Sequence, residues 1–139
     1  MNSILLIHII STVLMTGICW FVQTIHYPLF HEIRIEDFSK YERKNYRTAY
    51  LTVPLMVIEL FSGIYYFFVV ENSKLFFWNL VLLLIIELST VFFQIPIQAK
   101  LSKIYDKQLI KKLILTNWIR TISWTARTSI LSIILLKIS

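Results

Sequence analysis

Three ionisable side chains lie deep inside apolar stretches of the sequence, where a charge is costly. Glu59, Glu87 and Arg127 each lie about nine to twelve residues into an apolar run of about 20 residues. A charged group at the middle of a bilayer costs roughly 2.5–3.5 kcal/mol unless it is paired or hydrated. An arginine fork can bind a carboxylate bidentately. We therefore predict a buried cluster of these three residues, supported by Thr16 or Cys19, that could bind a polar ligand or exchange protons.

A second polar layer is predicted beside this cluster, nearer the loops that follow the first and third apolar runs. It would contain Gln23, His26, Gln94, Gln98, Asn117 and Arg120. His26 could act as an axial ligand or proton donor, while Arg120 and Arg127 could hold anionic groups and Trp124 could stack on a ring. The residues predicted to bind a ligand are Gln23, His26, Glu59, Glu87, Gln94, Arg120, Trp124 and Arg127. The alternative is that these buried polar groups only join helices to one another.

The spacing of the polar residues places them on single faces of helices. Counting back from His26 in steps of three or four gives Gln23, Cys19, Thr16, Thr12 and His8. The third run carries Glu87, Thr90, Gln94 and Gln98, and the fourth carries Asn117, Arg120, Trp124 and Arg127. Residues at these offsets share one side of an α-helix. Each helix is therefore predicted to turn its polar face toward the others and its apolar faces toward lipid.

The composition and the apolar runs predict a membrane protein of one domain, residues 1–139. Hydrophobic residues make up 57% of the chain and charged residues 16%, against about 25% charged in a soluble domain. Four runs match a hydrocarbon core roughly 30 Å thick: about Ser3–Ile25, Ala49–Val70, Leu75–Pro96 and Trp118–Leu136. The predicted fold class is an all-α, antiparallel bundle of four transmembrane helices. Short amphipathic surface helices are expected in loop 1, over Glu36–Arg47, and in loop 3, where Thr116 or Asn117 would then cap the fourth helix.

The basic residues are concentrated in two loops. Ten of the fourteen lie in loops 1 and 3: Arg34, Lys40, Arg43, Lys44, Arg47, Lys100, Lys103, Lys107, Lys111 and Lys112. By the positive-inside rule, loops 1 and 3 are cytoplasmic and both termini lie outside. Anionic lipid beside these loops accounts for the net charge of +6, so the bilayer is the expected partner and nucleic acid is not. A homo-oligomer is also consistent with the sequence.

The histidines restrict the cofactors that the chain could hold. Bis-histidine haem ligation needs two histidines at one depth on facing helices, but His8 and His26 are about 27 Å apart along one helix. A haem bound by one histidine, or shared between two chains, remains open, and so does a quinone. A metal site at His26 is disfavoured because Glu59 and Glu87 are predicted to lie deeper. The motifs of metalloproteases, serine hydrolases and phosphate-binding loops do not occur in the sequence.

A family resemblance is carried by three segments. They are Trp20-Phe21-Val22-Gln23-Thr24-Ile25-His26-Tyr27-Pro28-Leu29-Phe30, Pro54-Leu55-Met56 with Glu59, and Asn117-Trp118-Ile119-Arg120-Thr121 with Trp124-Thr125-Ala126-Arg127. Over nearly its whole length, the chain resembles small bacterial four-span integral membrane proteins, a group with no established activity. The resemblance implies a bacterial inner-membrane location. Members of the resembled group have histidines near the positions of Asn45 and Gln98. This chain has side-chain amides at both positions, so it lacks two potential metal ligands.

Two functional hypotheses from different classes follow from these patterns. In the first, the polar layer holds a haem, quinone or other lipid-soluble ligand for redox chemistry. In the second, the chain is a small proton-coupled transporter or oligomeric channel that uses Glu59 and Glu87 as exchanging carboxylates. A third hypothesis is that the chain is a non-catalytic assembly subunit.

Overall fold

The computed structural model describes residues 2–138, and within that range the chain is helical with short connections. The α-helices are α1 (Ser3–Phe21), α2 (Ile35–Asn45), α3 (Ala49–Tyr65), α4 (Lys74–Ser89), α5 (Ile95–Leu101) and α6 (Lys107–Ile138). π-Helical turns follow at Val22–His26, Tyr66–Val70 and Thr90–Gln94, and 3-10 turns at Pro28–Glu32 and Tyr46–Thr48.

Four continuous helical stretches in residues 2–138 are long and apolar enough to cross a membrane. They are Ser3–Glu32, Ile35–Val70, Lys74–Leu101 and Lys107–Ile138. The shortest has 28 residues. At 1.5 Å per residue it measures about 42 Å, more than the roughly 30 Å of a hydrocarbon core. The predicted fold class, an all-α antiparallel bundle of four helices able to span a membrane, is confirmed.

The long helices pack with α1 between α3 and α6, and with α4 along α6. The direction of α1 against α3 follows from two side-chain pairs: His8 contacts Ser62, and His26 contacts Asn45. Residue numbers that rise along the first helical stretch therefore face residue numbers that fall along the second, so α1 and α3 are antiparallel. With up-and-down connectivity, the loops after α1 and after α5 lie at one end of the bundle, and residues 2 and 138 lie at the other.

Two of the π-helical turns come directly before prolines. Pro28 follows the turn Val22–His26, and Pro96 follows Thr90–Gln94. A proline has no N–H with which to continue the regular hydrogen-bond pattern, so the preceding turn is free to widen. In the first of these turns, the backbone N–H of Tyr27 donates to the carbonyl of Val22 at 2.9 Å.

The helix predicted in loop 1 is present, but loop 3 has no separate surface helix within the described residues. Asp106 caps the start of the last helix, since its Oδ1 accepts from the N–H of Gln108 at 2.7 Å. The helix then continues without a break to Ile138. Thr116 does not cap it because its hydroxyl donates to the carbonyl of Lys112 at 2.8 Å, inside the same helix.

The outward surface of the bundle is apolar along its length. Phe68, Leu84, Phe92 and Ile122, from three of the four helical stretches, are between 58% and 76% exposed. Such a surface is typical of contact with lipid, because a soluble protein rarely leaves apolar patches of this extent in water. The polar residues are accordingly sorted into the interior, where they form the site described next.

Candidate functional site

A buried ion pair joins α3 and α6. Nη1 of Arg127 donates to Oε2 of Glu59 at 2.8 Å, and neither side chain has any exposed surface. Nε1 of Trp124 donates to the same carboxylate, at 3.0 Å from Oε2 and 3.3 Å from Oε1. Both oxygens of Glu59 therefore accept hydrogen bonds, and the charge of Arg127 is neutralised inside the bundle.

The other two nitrogens of the Arg127 guanidinium contact side chains on α1 and α4. Nε donates to Oδ1 of Asn79 at 3.0 Å, and Nη2 donates to Oγ1 of Thr12 at 3.2 Å. Nη2 also lies 3.3 Å from Nε2 of His8. Each guanidinium nitrogen thus has a partner, and α1, α3, α4 and α6 are joined through one arginine.

His8 completes this network with both of its ring nitrogens. Nε2 faces two donors, Nη2 of Arg127 and Nδ2 of Asn79, the latter at 3.0 Å. It must therefore be the acceptor, which places the ring proton on Nδ1. Nδ1 then donates to Oγ of Ser62 at 3.0 Å. His8, which the sequence placed on the polar face of the first helix, lies at the centre of the buried network.

We call six residues the closed cluster: His8, Thr12, Glu59, Asn79, Trp124 and Arg127. Each of the six is 0% exposed. Their charged atoms are already bonded to one another, and the bonds run between helices. The closed cluster therefore fits the alternative interpretation, that the buried polar groups join the helices to one another.

Glu87 does not join the closed cluster. In the described part of the chain no ion pair or hydrogen bond connects it to Arg127, and its Oε1 is buried without a hydrogen-bond partner. The cluster predicted from sequence is thus present as the Glu59–Arg127 pair, without its second carboxylate. Thr16 was expected to support it, but its hydroxyl donates to the carbonyl of Thr12 and lies 2.8 Å from Oγ1 of Thr128 instead. The support comes from the earlier turns of α1, because the long Arg127 side chain reaches toward them.

Gln23 and Asn117 join α1 to α6 nearer the loops. Nδ2 of Asn117 donates to Oε1 of Gln23 at 2.8 Å, and its Oδ1 accepts from Nη1 of Arg120 at 3.3 Å. Nε2 of Gln23 donates to the carbonyl of Ile114 at 3.2 Å. These two amides therefore join the helices to each other, and Asn117 also binds one edge of the Arg120 guanidinium.

Tyr27 links the same layer to α5. Its hydroxyl donates to Oε1 of Gln94 at 3.2 Å and accepts from Nε2 of Gln98 at 2.8 Å. Nε2 of Gln94 in turn donates to Oγ1 of Thr116 at 3.0 Å. The two glutamines predicted from the third polar stripe are therefore held in place by one buried tyrosine.

A cavity of about 660 Å³ lies between α1, α3 and the polar layer. Apolar side chains form most of its wall, among them Met15, Ile18, Val22, Leu51, Val53 and Met56. Its polar lining residues include His26, Tyr27, Gln94, Gln98, Asn117 and Arg120. Sites for small molecules have volumes of roughly 300–1,000 Å³, apolar walls and a few polar groups that orient the ligand. This cavity has those properties.

Arg120 is the lining residue whose bonding is incomplete. Its Nε is buried and has no hydrogen-bond partner. Among residues 2–138 no acid lies within ion-pair distance of it. The guanidinium is held by Asn117 and by the ring of Trp124, whose centroid lies 5.2 Å from Cζ. Arg120 is therefore a fixed cation with an unused donor.

His26 is connected to a buried acid that the sequence analysis missed. Its Nε2 lies 2.7 Å from Oδ1 of Asn45, and Nδ2 of Asn45 donates to Oε2 of Glu42 at 3.1 Å. Glu42 is 0% exposed and its Oε1 has no hydrogen-bond partner. The sequence placed Glu42 on a surface helix, because helical spacing does not show that α2 packs back onto the bundle.

The histidines offer little to the haem that the sequence left open. A haem iron needs a ring nitrogen with a free lone pair. His8 uses both nitrogens within the closed cluster and His26 uses Nε2 on Asn45, which leaves Nδ1 of His26. Over residues 2–138, no group of three or more His, Cys, Asp or Glu side chains is placed to hold a metal ion.

The residues predicted to bind a ligand fall into separate places in the structure. Those that line the cavity are His26, Gln94 and Arg120. Those in the closed cluster are Glu59, Trp124 and Arg127. Gln23 contacts the lining residue Asn117, and Glu87 lies outside both sets. The cavity itself depends on the separation of two helices, which residue spacing along each helix does not reveal.

No protein-family model matches the chain, and no curated protein or solved structure shows significant similarity to it. A functional assignment therefore has to come from the geometry of the cavity and the chemistry of its lining.

Proposed function

We propose that the chain is an integral membrane protein that binds a lipid-soluble ligand in the cavity between α1 and α3. The supporting observation is Arg120, a cation with an unpartnered Nε at the polar end of an otherwise apolar cavity. Holding such a group inside a membrane costs free energy. A ligand oxygen bonded to the Arg120 guanidinium would offset that cost, and an apolar ligand body would fill the remaining volume.

A quinone or similar ring is one ligand class that suits these groups. Its carbonyl oxygens accept hydrogen bonds, which Arg120 and the side-chain amides of Gln94 and Gln98 can donate. A bound quinone would give the chain a role in redox chemistry, with His26 as the nearby proton donor. A haem has less support because three of the four ring nitrogens of His8 and His26 are engaged.

The proposed location is a bacterial cytoplasmic membrane, with loops 1 and 3 in the cytoplasm and both termini outside. Loops 1 and 3 lie at the same end of the bundle and carry ten of the fourteen basic residues. Basic loops are retained on the cytoplasmic side during insertion. Accessibility of cysteines placed at Lys103 and Lys137 to an impermeant thiol reagent tests this; labelling of the Lys103 position in intact cells would contradict it.

Filling the cavity is expected to remove the ligand without harming the fold. A Cβ built on Gly17, which lines the cavity, has no other atom within 4 Å, so Gly17→Leu introduces bulk into open space. Leucine is also a better helix former than glycine, by about 1 kcal/mol. Native mass spectrometry of protein purified in mild detergent should show one small molecule per wild-type chain and none on Gly17→Leu.

The matched control is Ala99→Leu, which adds an equal side chain at an exposed position outside the cavity lining. It should retain the molecule. An organic extract of the wild-type protein identifies it, and a quinone absorption spectrum would support the redox role. A wild-type chain that carries no molecule, or equal retention by Gly17→Leu, would contradict ligand binding.

Proton-coupled transport through Glu59 and Glu87 has less support. The Glu59 carboxylate accepts hydrogen bonds from Trp124 and Arg127, so proton uptake there would require the closed cluster to break. A substrate flux in proteoliposomes that is lost in Glu87→Gln but unaffected by Gly17→Leu would favour transport over ligand binding.

A further inference from the structure

The mouth of the cavity is bordered by side chains on the lipid-facing surface. Phe21, Leu51 and Val53 line the cavity and are also 54%, 61% and 51% exposed. The first of these is on α1 and the other two are on α3, so the opening lies between these helices. At Gly17 the opening has no side chain at all. A bound molecule can therefore extend from the cavity into the bilayer.

The helices come together again at the other end of this opening. Gly63 on α3 allows His8 on α1 to approach so closely that a Cβ at Gly63 would lie 2.8 Å from Cε1 of the imidazole. The gap between α1 and α3 is therefore wedge-shaped. It is closed at the closed cluster and open toward loop 1.

The charges inside the bundle leave one cation without an ion pair. Glu59 and Arg127 neutralise each other. Glu87, the other acid in the predicted spans, forms no ion pair with Arg120 in the described residues. In the described residues, the Arg120 guanidinium forms a hydrogen bond through Nη1 alone, and a guanidinium is suited to bind an oxyanion through two parallel hydrogen bonds.

Resting on the proposed function, we propose that the ligand is a single-chain anionic amphiphile. Its oxyanion head, a carboxylate or a phosphate, is bound by Arg120, and its alkyl chain leaves between α1 and α3 into the bilayer. The apolar cavity wall, the lipid-facing opening and the unpaired guanidinium each match one part of such a molecule. A neutral ring would satisfy the hydrogen bonds of Arg120 but would leave it without an ion pair.

The test compares probes of one chain length on delipidated wild-type protein in nonionic detergent. Palmitate and hexadecyl phosphate carry the two candidate heads, hexadecanol is the neutral match, and decylubiquinone is the neutral ring. We expect one or both anions to raise the unfolding temperature saturably, and hexadecanol to bind about tenfold more weakly or worse, since a charge-assisted bond is lost. The anion that binds more tightly identifies the head.

Arg120 variants separate charge from packing. Arg120→Gln should reduce anion affinity at least about tenfold, and Arg120→Lys should restore part of it. The control Lys137→Gln removes a surface charge and should leave affinity unchanged. Preference for decylubiquinone or hexadecanol over both anions, or undiminished anion binding by Arg120→Gln, would overturn the anionic head and leave the proposed function standing. Failure of every probe, together with an empty wild-type chain, would overturn both.

Discussion

Arg127→Gln is expected to lower the free energy of unfolding by about 3–5 kcal/mol, the range found when one partner of a buried ion pair is removed. The substitution leaves the Glu59 carboxylate buried with only the Trp124 indole as a donor. It also removes the donors that reach Asn79, Thr12 and, through Nη2, His8. Reversible unfolding in mixed micelles, followed by far-ultraviolet circular dichroism, measures the loss.

Two further variants show whether the loss comes from the ion pair. Glu59→Gln added to Arg127→Gln should recover part of the stability, because the unpaired carboxylate charge is removed. Arg120→Gln, measured on ligand-free protein, removes the same charge from the same helix but breaks no ion pair. It loses one hydrogen bond and the contact with Trp124, and should cost no more than about 2 kcal/mol. Equal destabilisation by the two arginine variants would contradict the distinction between the closed cluster and the cavity.

Gly63→Ala is expected to destabilise the bundle by about 1–3 kcal/mol, the usual cost of excess volume in a packed interior. The added Cβ would lie 2.8 Å from Cε1 of His8 and 2.9 Å from Cδ2 of Leu80. The His8 ring cannot withdraw freely because Ser62 and Asn79 bond its two nitrogens. The same unfolding measurement gives the loss.

The control for this prediction is the other glycine in the chain. Gly17→Ala places a methyl group where nothing lies within 4 Å, and alanine favours the helix by about 1 kcal/mol. It should be neutral or stabilising. A Gly63→Ala protein as stable as Gly17→Ala would show that α1 and α3 do not meet as closely at His8 as described.

The sequence was sufficient to predict the fold because its period is regular. Apolar runs of about 20 residues and one polar face per helix fix the four helices that can span a membrane. The same pattern correctly brought Glu59 and Arg127 together, since both are deep in their runs and of opposite charge. The continuous α6 was not predicted, because Thr116 and Asn117 are equally able to cap a helix or to bond within it.

Details of the site depended on quantities that one sequence does not contain. Glu87 and Glu59 have similar predicted depths, and only the rotation and tilt of the helices determine which one meets Arg127. His8 was placed near the end of its span, yet the reach of the arginine side chain brings the two together. The cavity is a gap between helices, and no spacing of residues along the sequence indicates where two helices separate.

The most direct test of ligand binding is an experimental structure of the wild-type chain in lipid nanodiscs, at a resolution that shows bound lipids. We predict elongated density in the cavity, one end within hydrogen-bond distance of the Arg120 guanidinium and the other between α1 and α3. The contradicting result would be a cavity closed by its own side chains, or one filled by a second copy of the chain, with Arg120 paired to a protein acid.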